Sequence, residues 1–223
     1  MHVDTNTALS SQDAFARDRE RMVADQIAGR DVRDLRVLAA MRDVPRHRFV
    51  PEALQRQAYD DRPLPIGHDQ TISQPYIVAL MTQLARPAAA DRALEVGTGS
   101  GYQAAVLSRL VSHVYTIELV EPLARSAEQN LKDVGYTNIT TRTGDGYAGW
   151  PDMGPFDIIL VTAAPDHVPA PLLEQLKPGG RMVVPVGPVA DVQELQLIEK
   201  DSAGRTRTTR VAPVRFVPLL RGR

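Results

Sequence analysis

Between Ala93 and Tyr102 the chain reads ALEVGTGSGY: a short apolar run, then Gly97, Gly99 and Gly101 in alternation, then a helical pattern. Glycine lets a backbone turn sharply at the end of a strand and lets a ligand approach it closely. Any tight strand-to-helix turn can use a glycine, but three alternating ones directly after an apolar strand favour a turn that holds a ligand. The flanking texture agrees. Short apolar runs over Ala93–Val96, Val114–Ile117, Ile139–Arg142, Ile158–Val161 and Met182–Val186 alternate with helical patterns over Gln103–Leu110, Pro122–Val134 and Leu172–Leu176. Unbroken apolar strands separated by helices mark a parallel sheet covered on both faces. Two more strands, Glu194–Ile198 and Arg210–Leu219, are expected to close one edge as an antiparallel hairpin. The expected fold is therefore α/β: a doubly wound, mostly parallel sheet with an N-terminal helical extension and a C-terminal antiparallel hairpin.

Ahead of the sheet the pattern is different. Residues 1–20 open on a dozen polar positions and read as a flexible extension, with a charged helical pattern from Phe15 to Ala28. Residues 21–223 are expected to form one domain, with a helical and loop-bearing part over 21–90 and a ligand-binding core over 91–223. A second helix runs Asp34–Met41, with Leu35, Leu38 and Met41 on one face, and Pro45 and Pro51 end it. The stretch YDDRPLPIGHDQTISQP, Tyr59–Pro75, has no clear period and reads as a long ordered loop. Such loops in compact domains tend to be functional. A helix carrying Ile77, Leu80, Met81 and Leu84 follows it.

Composition narrows the functional classes. A net charge of -1 gives no global pull toward nucleic acid or an anionic membrane. Arg205, Arg207, Arg210, Arg221 and Arg223 lack interleaved aromatic residues and read as a solvated edge and tail. The absence of cysteine excludes disulfides, thiolate metal sites and a cysteine nucleophile. No run of about 18 apolar residues occurs, so a membrane span is not expected. The expectations are a cytoplasmic monomer with no membrane or nucleic-acid partner.

The glycine spacing also separates ligand classes. A dinucleotide fingerprint is G-x-G-x-x-G, which brings a helix N-terminus to a pyrophosphate. Here it is G-x-G-x-G with Glu95 two positions before Gly97. That carboxylate would repel a pyrophosphate but suits an ammonium or sulfonium group. Glu118 ends the second strand, where an acid can accept hydrogen bonds from two ribose hydroxyls; the alternative is a cap for the helix at Pro122. Asp145, in a Gly-Asp-Gly turn after the third strand, can reach an adenine amino group or simply serve the turn. Three acids at three successive strand ends fit one nucleoside-like ligand. The arrangement resembles motif I of class I S-adenosylmethionine methyltransferases, a Rossmann-like fold.

A narrower resemblance follows from the rest of the chain. The segments VLAAMRDVPRHRFVP, DRPLPIGHDQTISQPYIVALMT, ALEVGTGSGYQAAVL, FDIILVTAAP, LKPGGRMVVPVG and VRFVPL together resemble the protein-L-isoaspartate (D-aspartate) O-methyltransferase family. This implies S-adenosylmethionine as methyl donor, S-adenosylhomocysteine as product, no metal, and isoaspartyl-containing proteins and peptides as partners. The acceptor would be the free α-carboxylate of an L-isoaspartyl residue, whose ester then closes to a succinimide without an enzyme. The resemblance places the active-site serine at Ser73, with Thr71, Ile72 and Gln74 binding substrate. Glu95, Gly97, Thr98 and Gly99 would line the methionine part of the donor, Gly101 would belong to the same donor site, Glu118 would hold the ribose, and Asp145 with Gly146 the adenine. VRFVPL would flank the substrate cleft, and the last two strands would exchange places relative to other class I enzymes.

The chemistry asks for no general base, because an α-carboxylate with a pKa of roughly 3.3–3.9 is already ionised at neutral pH. The scattered His47, His68, His113 and His167 accordingly read as surface or loop residues. Without the resemblance, Ser73 reads as a loop serine capping the next helix. A nucleic-acid or metabolite methyltransferase, a scaffold protein on a degenerate fold and a nicotinamide oxidoreductase are the competing readings.

Overall fold

The computed structural model describes residues 15–188 and 191–222, so the expected flexible extension lies, over its first fourteen residues, outside the described part. Residues 15–21 are helical and run into a π-helical turn at Met22–Ala28. Helix α1, Leu35–Asp43, starts where the Asp34 side chain accepts the Arg36 N–H at 2.9 Å. Two short 3-10 turns, Arg46–Phe49 and Glu52–Gln57, lead to a small hairpin of β1 (Leu64–Gly67) and β2 (Gln70–Ile72). The long loop expected over Tyr59–Pro75 thus contains paired strands. Helix α2, Pro75–Ala85, begins with proline in its first turn, where a missing N–H costs nothing.

The sheet has seven strands: β3 (Arg92–Val96), β4 (His113–Glu118), β5 (Ile139–Thr143), β6 (Phe156–Val161), β7 (Leu176–Val186), β8 (Gln193–Lys200) and β9 (Thr206–Val214). Their spatial order is β5-β4-β3-β6-β7-β8-β9; the pairs from β5 to β7 are parallel, and β8 is antiparallel to both neighbours. The last two strands lie in chain order beside β7, the exchange that the resemblance implies. Helices α3 (Tyr102–Ser108), α4 (Glu121–Val134) and α5 (Ala170–Glu174) connect the parallel strands.

Side chains alternate between two apolar layers, as strand geometry requires. Ile158 and Leu160 of β6 join the layer containing α1, α2 and α3, while Ile159 and Val161 join the opposite one with Trp150 and Leu172. β3 follows the same rule: Ala93 faces the first layer, Leu94 and Val96 the second. Burial on both faces is why these strands read as unbroken apolar runs. Each fully buried large side chain contributes roughly 1.5–3 kcal/mol.

Two boundaries moved furthest, by five residues or more. β7 begins at Leu176, ahead of the expected Met182, because Leu176 already pairs with Phe156 before the register shifts through the Pro-Gly-Gly stretch. β9 ends at Val214, short of the expected Leu219, because the chain there leaves the hairpin and returns to Ala164. The Ala164 N–H donates to Val217 O and the Leu219 N–H to Ala164 O, each at 2.8 Å. That return carries residues 215–220 across the carboxyl ends of the parallel strands.

Candidate active site

At those strand ends lies an open, concave cleft, the kind of place where small ligands bind. Glu95, Gly97, Thr98, Gly99, Glu118 and Gly146 line it, together with Thr71, Ile72 and Ser73 from the loop before α2. Two expected members stand elsewhere. Gly101 is the N-cap of α3 at φ +91°, and a Cβ there would meet Leu131 Cγ at 3.2 Å, so its place is in helix packing. Asp145 is outside the wall: its Oδ1 accepts the Tyr147 N–H at 2.9 Å, which serves the turn, and Gly222 packs against it.

The glycine turn is shaped by close contacts. Gly97 has φ +99°, and a Cβ on it would lie 2.6 Å from Thr162 Oγ1. The Thr162 hydroxyl donates to Gly97 O at 2.5 Å, so the ends of β3 and β6 are clasped over the turn. A Cβ on Gly146 would lie 2.5 Å from Val96 Cγ1. Both positions present bare backbone to the cleft.

Glu118 links three elements. Its Oε2 accepts the Gly99 N–H at 2.8 Å, and its Oε1 accepts the Val120 N–H at 2.9 Å, Val120 being the N-cap of α4. The helix-entry role raised by the sequence is thus present, and each oxygen can still accept one further hydrogen bond.

Glu95 is fully buried in the cleft wall. The Thr116 hydroxyl donates to its Oε2 at 2.5 Å and the Ala104 N–H also favours its ionised form, but Oε1 has no hydrogen-bond partner of good geometry among the described residues. Burial pushes the Glu95 carboxyl up to about 8, against the pull of the Thr116 hydroxyl and with a smaller push from Glu118. A buried carboxylate oxygen without a partner is costly unless a cation or donor completes it. An ammonium- or sulfonium-bearing donor fits that wall, and the bare glycine backbone leaves it room.

A second, more open cleft adjoins the first. Thr71, Ser73, Gln74, Ile77, Arg215 and Phe216 are among its walls, and Thr71, Ser73, Thr162, Val217 and Pro218 belong to both. Ile72, buried at 4 % exposure, faces only the first cleft, and Gln74 only the second, with its Nε2 on Asp61 O at 3.1 Å. Ser73 does not cap α2: the N-cap is Gln74, and its side chain makes no capping bond. Sequence reasoning missed Thr162, Ser100 and Gln103 in the first cleft. A polar residue straight after the apolar run of β6 was the available signal for Thr162. It also missed Gln193, 2 % exposed, whose Oε1 accepts the Phe216 N–H at 2.8 Å and fixes the second cleft's wall.

Glu118, and a Glu95 that ionises most readily beside a positive charge, favour a cationic nucleoside donor over a pyrophosphate across the glycine turn. On this fold that makes the chain a class I S-adenosylmethionine-dependent methyltransferase. It belongs to the protein-L-isoaspartate(D-aspartate) O-methyltransferase family, whose model matches residues 17–223.

The chain is 58 % identical over 208 residues to a protein-L-isoaspartate O-methyltransferase of Opitutus terrae, covering 93 % of this chain and 89 % of that one. With one of Gloeobacter violaceus it shares 52 % identity, over 90 % of this chain and 97 % of the relative. A solved protein-L-isoaspartate O-methyltransferase superposes with a TM-score of 0.80 at 30 % identity, covering 90 % of this chain. The chain spans 65 % of that longer protein. A Plasmodium falciparum structure holding S-adenosyl-L-homocysteine shares the fold, with a TM-score of 0.78, 24 % identity, and coverage of 92 % of this chain and 99 % of that one. Among the described residues, no helix is long and apolar enough to cross a membrane.

Proposed function

We propose that this chain transfers a methyl group from S-adenosylmethionine to the free α-carboxylate of L-isoaspartyl residues in age-damaged proteins and peptides, starting their repair through a succinimide. The observation that carries this reading is the position of Ser73 in the wall common to the two clefts. One cleft suits a cationic nucleoside donor, and the other is open enough for an extended peptide.

The donor, when bound, supplies a methyl group activated by positively charged sulfur. The chain's residues hold the two reactants in line and keep water away, which can contribute as much as ~7–11 kcal/mol. In this reading Glu95 faces the donor's cationic end, the Gly97–Gly99 backbone lies along its methionine part, Glu118 takes the ribose, and Gly146 gives room for the base. The Ser73 hydroxyl donates to the acceptor carboxylate and orients it. Thr71, Ile72 and Gln74 set the path of the substrate backbone, so that damage is recognised in many sequence contexts. No residue has to remove a proton. Residues 21–223 act as one domain, as a monomer in the cytoplasm, with proteins and peptides as partners.

The test uses labelled S-adenosylmethionine and two peptides that differ only in an aspartyl or isoaspartyl linkage. Base-labile label is expected on the isoaspartyl peptide alone. Equal labelling of both, or of neither, defeats the reading.

A further inference from the structure

The second cleft carries a single charge. Of its thirteen lining residues, all are apolar or uncharged except Arg215. Elsewhere on the same hairpin, Arg205 is held by Asp201 at 2.8 Å and Arg210 by Glu194 at 3.1 Å. Arg215 has no ion pair among the described residues. Asp191, on the segment beside this rim, is not part of the wall, and its Oδ1 accepts the Val192 N–H at 2.7 Å.

The position of Arg215 is built, although its side chain is exposed. On one side Val214 closes β9 and is buried; on the other the Phe216 N–H is tied to buried Gln193. The backbone of Arg215 is therefore fixed at the cleft rim, within reach of which its guanidinium moves. Arg215 lines only the second cleft, whereas Ser73 borders both. The acceptor carboxylate has to meet the donor at the junction by Ser73, whereas Arg215, absent from the donor cleft's wall, is placed to meet another group of the peptide. Chemistry points the same way, since a guanidinium clamped on the attacking carboxylate would withdraw charge from the nucleophile.

We propose that Arg215 is a specificity-determining residue which favours isoaspartyl peptides carrying an acidic side chain beside the damaged residue. The proposal rests on the function given above. It concerns a different part of the substrate from the reacting carboxylate. An arginine fork matches a carboxylate in shape as well as charge, and a solvent-facing pair of this kind is modest and weakened by salt.

The experiment compares kcat/KM for isoaspartyl peptides with Glu or Gln placed in turn at the two positions on either side of the isoaspartate. At one position at least, the Glu peptide is expected to be better by about two- to five-fold at low salt, the range exposed ion pairs give. The Glu/Gln ratio should fall toward one in Arg215→Gln, and Arg215→Glu should favour a Lys peptide instead. Raising the salt should shrink the ratio in the unaltered protein and leave it near one in Arg215→Gln. A ratio of one at every position, or a ratio kept in Arg215→Gln, overturns the proposal. So does an Arg215→Gln loss of the same size for Glu and Gln peptides, which would place the guanidinium on the reacting carboxylate. Failure to methylate any isoaspartyl peptide would overturn the functional reading itself, a result distinct from methylation without charge preference.

Discussion

Glu118 Oε2 accepts the Gly99 N–H at 2.8 Å, so the tip of β4 holds the middle of the glycine turn that follows β3. The same carboxylate faces the donor cleft. Glu118→Ala is therefore expected to loosen the turn and remove the ribose acceptor together. A hydrogen bond to a charged group is worth about 1.5–3 kcal/mol, so donor affinity should fall about 10- to 100-fold by calorimetry. An unchanged dissociation constant would remove Glu118 from the site.

Ser73 stands where the clefts join and makes no cap for α2. Ser73→Ala should lower kcat by about 10- to 100-fold, the worth of one hydrogen bond to a carboxylate. Affinity for the donor should stay nearly constant. If donor binding collapses instead, the hydroxyl belongs to the donor side and its assignment here is wrong.

Glu95 should make donor binding pH-dependent. With its carboxyl raised to about 8, it is mainly protonated at pH 7 before the donor binds. A positive charge beside it favours the ionised form, so binding should release protons below pH 8 and tighten as pH rises toward 8. Titrations at pH 7 in buffers of different ionisation heat would measure the release. Glu95→Gln should abolish it, and a proton count of zero in the unaltered protein would contradict the argument.

Gly146 is a packing constraint as much as a ligand contact. The Cβ of Gly146→Ala would meet Val96 Cγ1 at 2.5 Å. Overpacking of this order costs roughly 1–3 kcal/mol, or roughly 2–12 °C in Tm for a chain of this size. Val96→Ala removes the opposing methyl, and the double variant should recover part of both Tm and donor affinity. Additive losses in the double variant would show that the clash is not the cause.

His47 should make the fold acid-sensitive. Burial, aided by Arg19 and Arg48, lowers it from 6.5 to about 4; it stacks on Phe15 at 4.2 Å and bonds the Tyr59 hydroxyl at 2.8 Å. The folded chain keeps this ring neutral, while the unfolded chain takes up a proton below 6.5. Its contribution is complete above pH 6.5 and declines as pH falls toward 4. Urea unfolding at pH 7, 5.5 and 4.5 should show a shallower decline for His47→Gln than for the unaltered chain.

What could be read from the chain, and what could not, follows from the range of the forces involved. β3, β4 and β6 lie inside the sheet, so their apolar runs advertised them, and the glycine turn placed Glu95 and Glu118 at their tips. The β1–β2 hairpin was hidden because its strands are four and three residues long and carry Pro65. Its turn places His68 and Asp69 at φ 52° and 56°, a left-handed pair without the usual glycine signal. Thr162, Gln193 and Phe216 come together only through pairings remote in sequence, which no local pattern encodes. Asp145 was legible as an acid after a strand, but whether it serves a ligand or its own turn depends on Gly222 and Tyr147 packing around it.

The return of residues 215–220 to Ala164 has a consequence for biosynthesis. Both clefts take walls from Val217 and Pro218, and the first also from Leu219 and Leu220, whereas β3 to β7 are complete by Val186. A nascent chain can assemble its parallel core well before it owns a working pocket. Catalytic competence is thus deferred until residues 215–220 have been made, and a fragment ending before Pro213 would lack walls of both clefts.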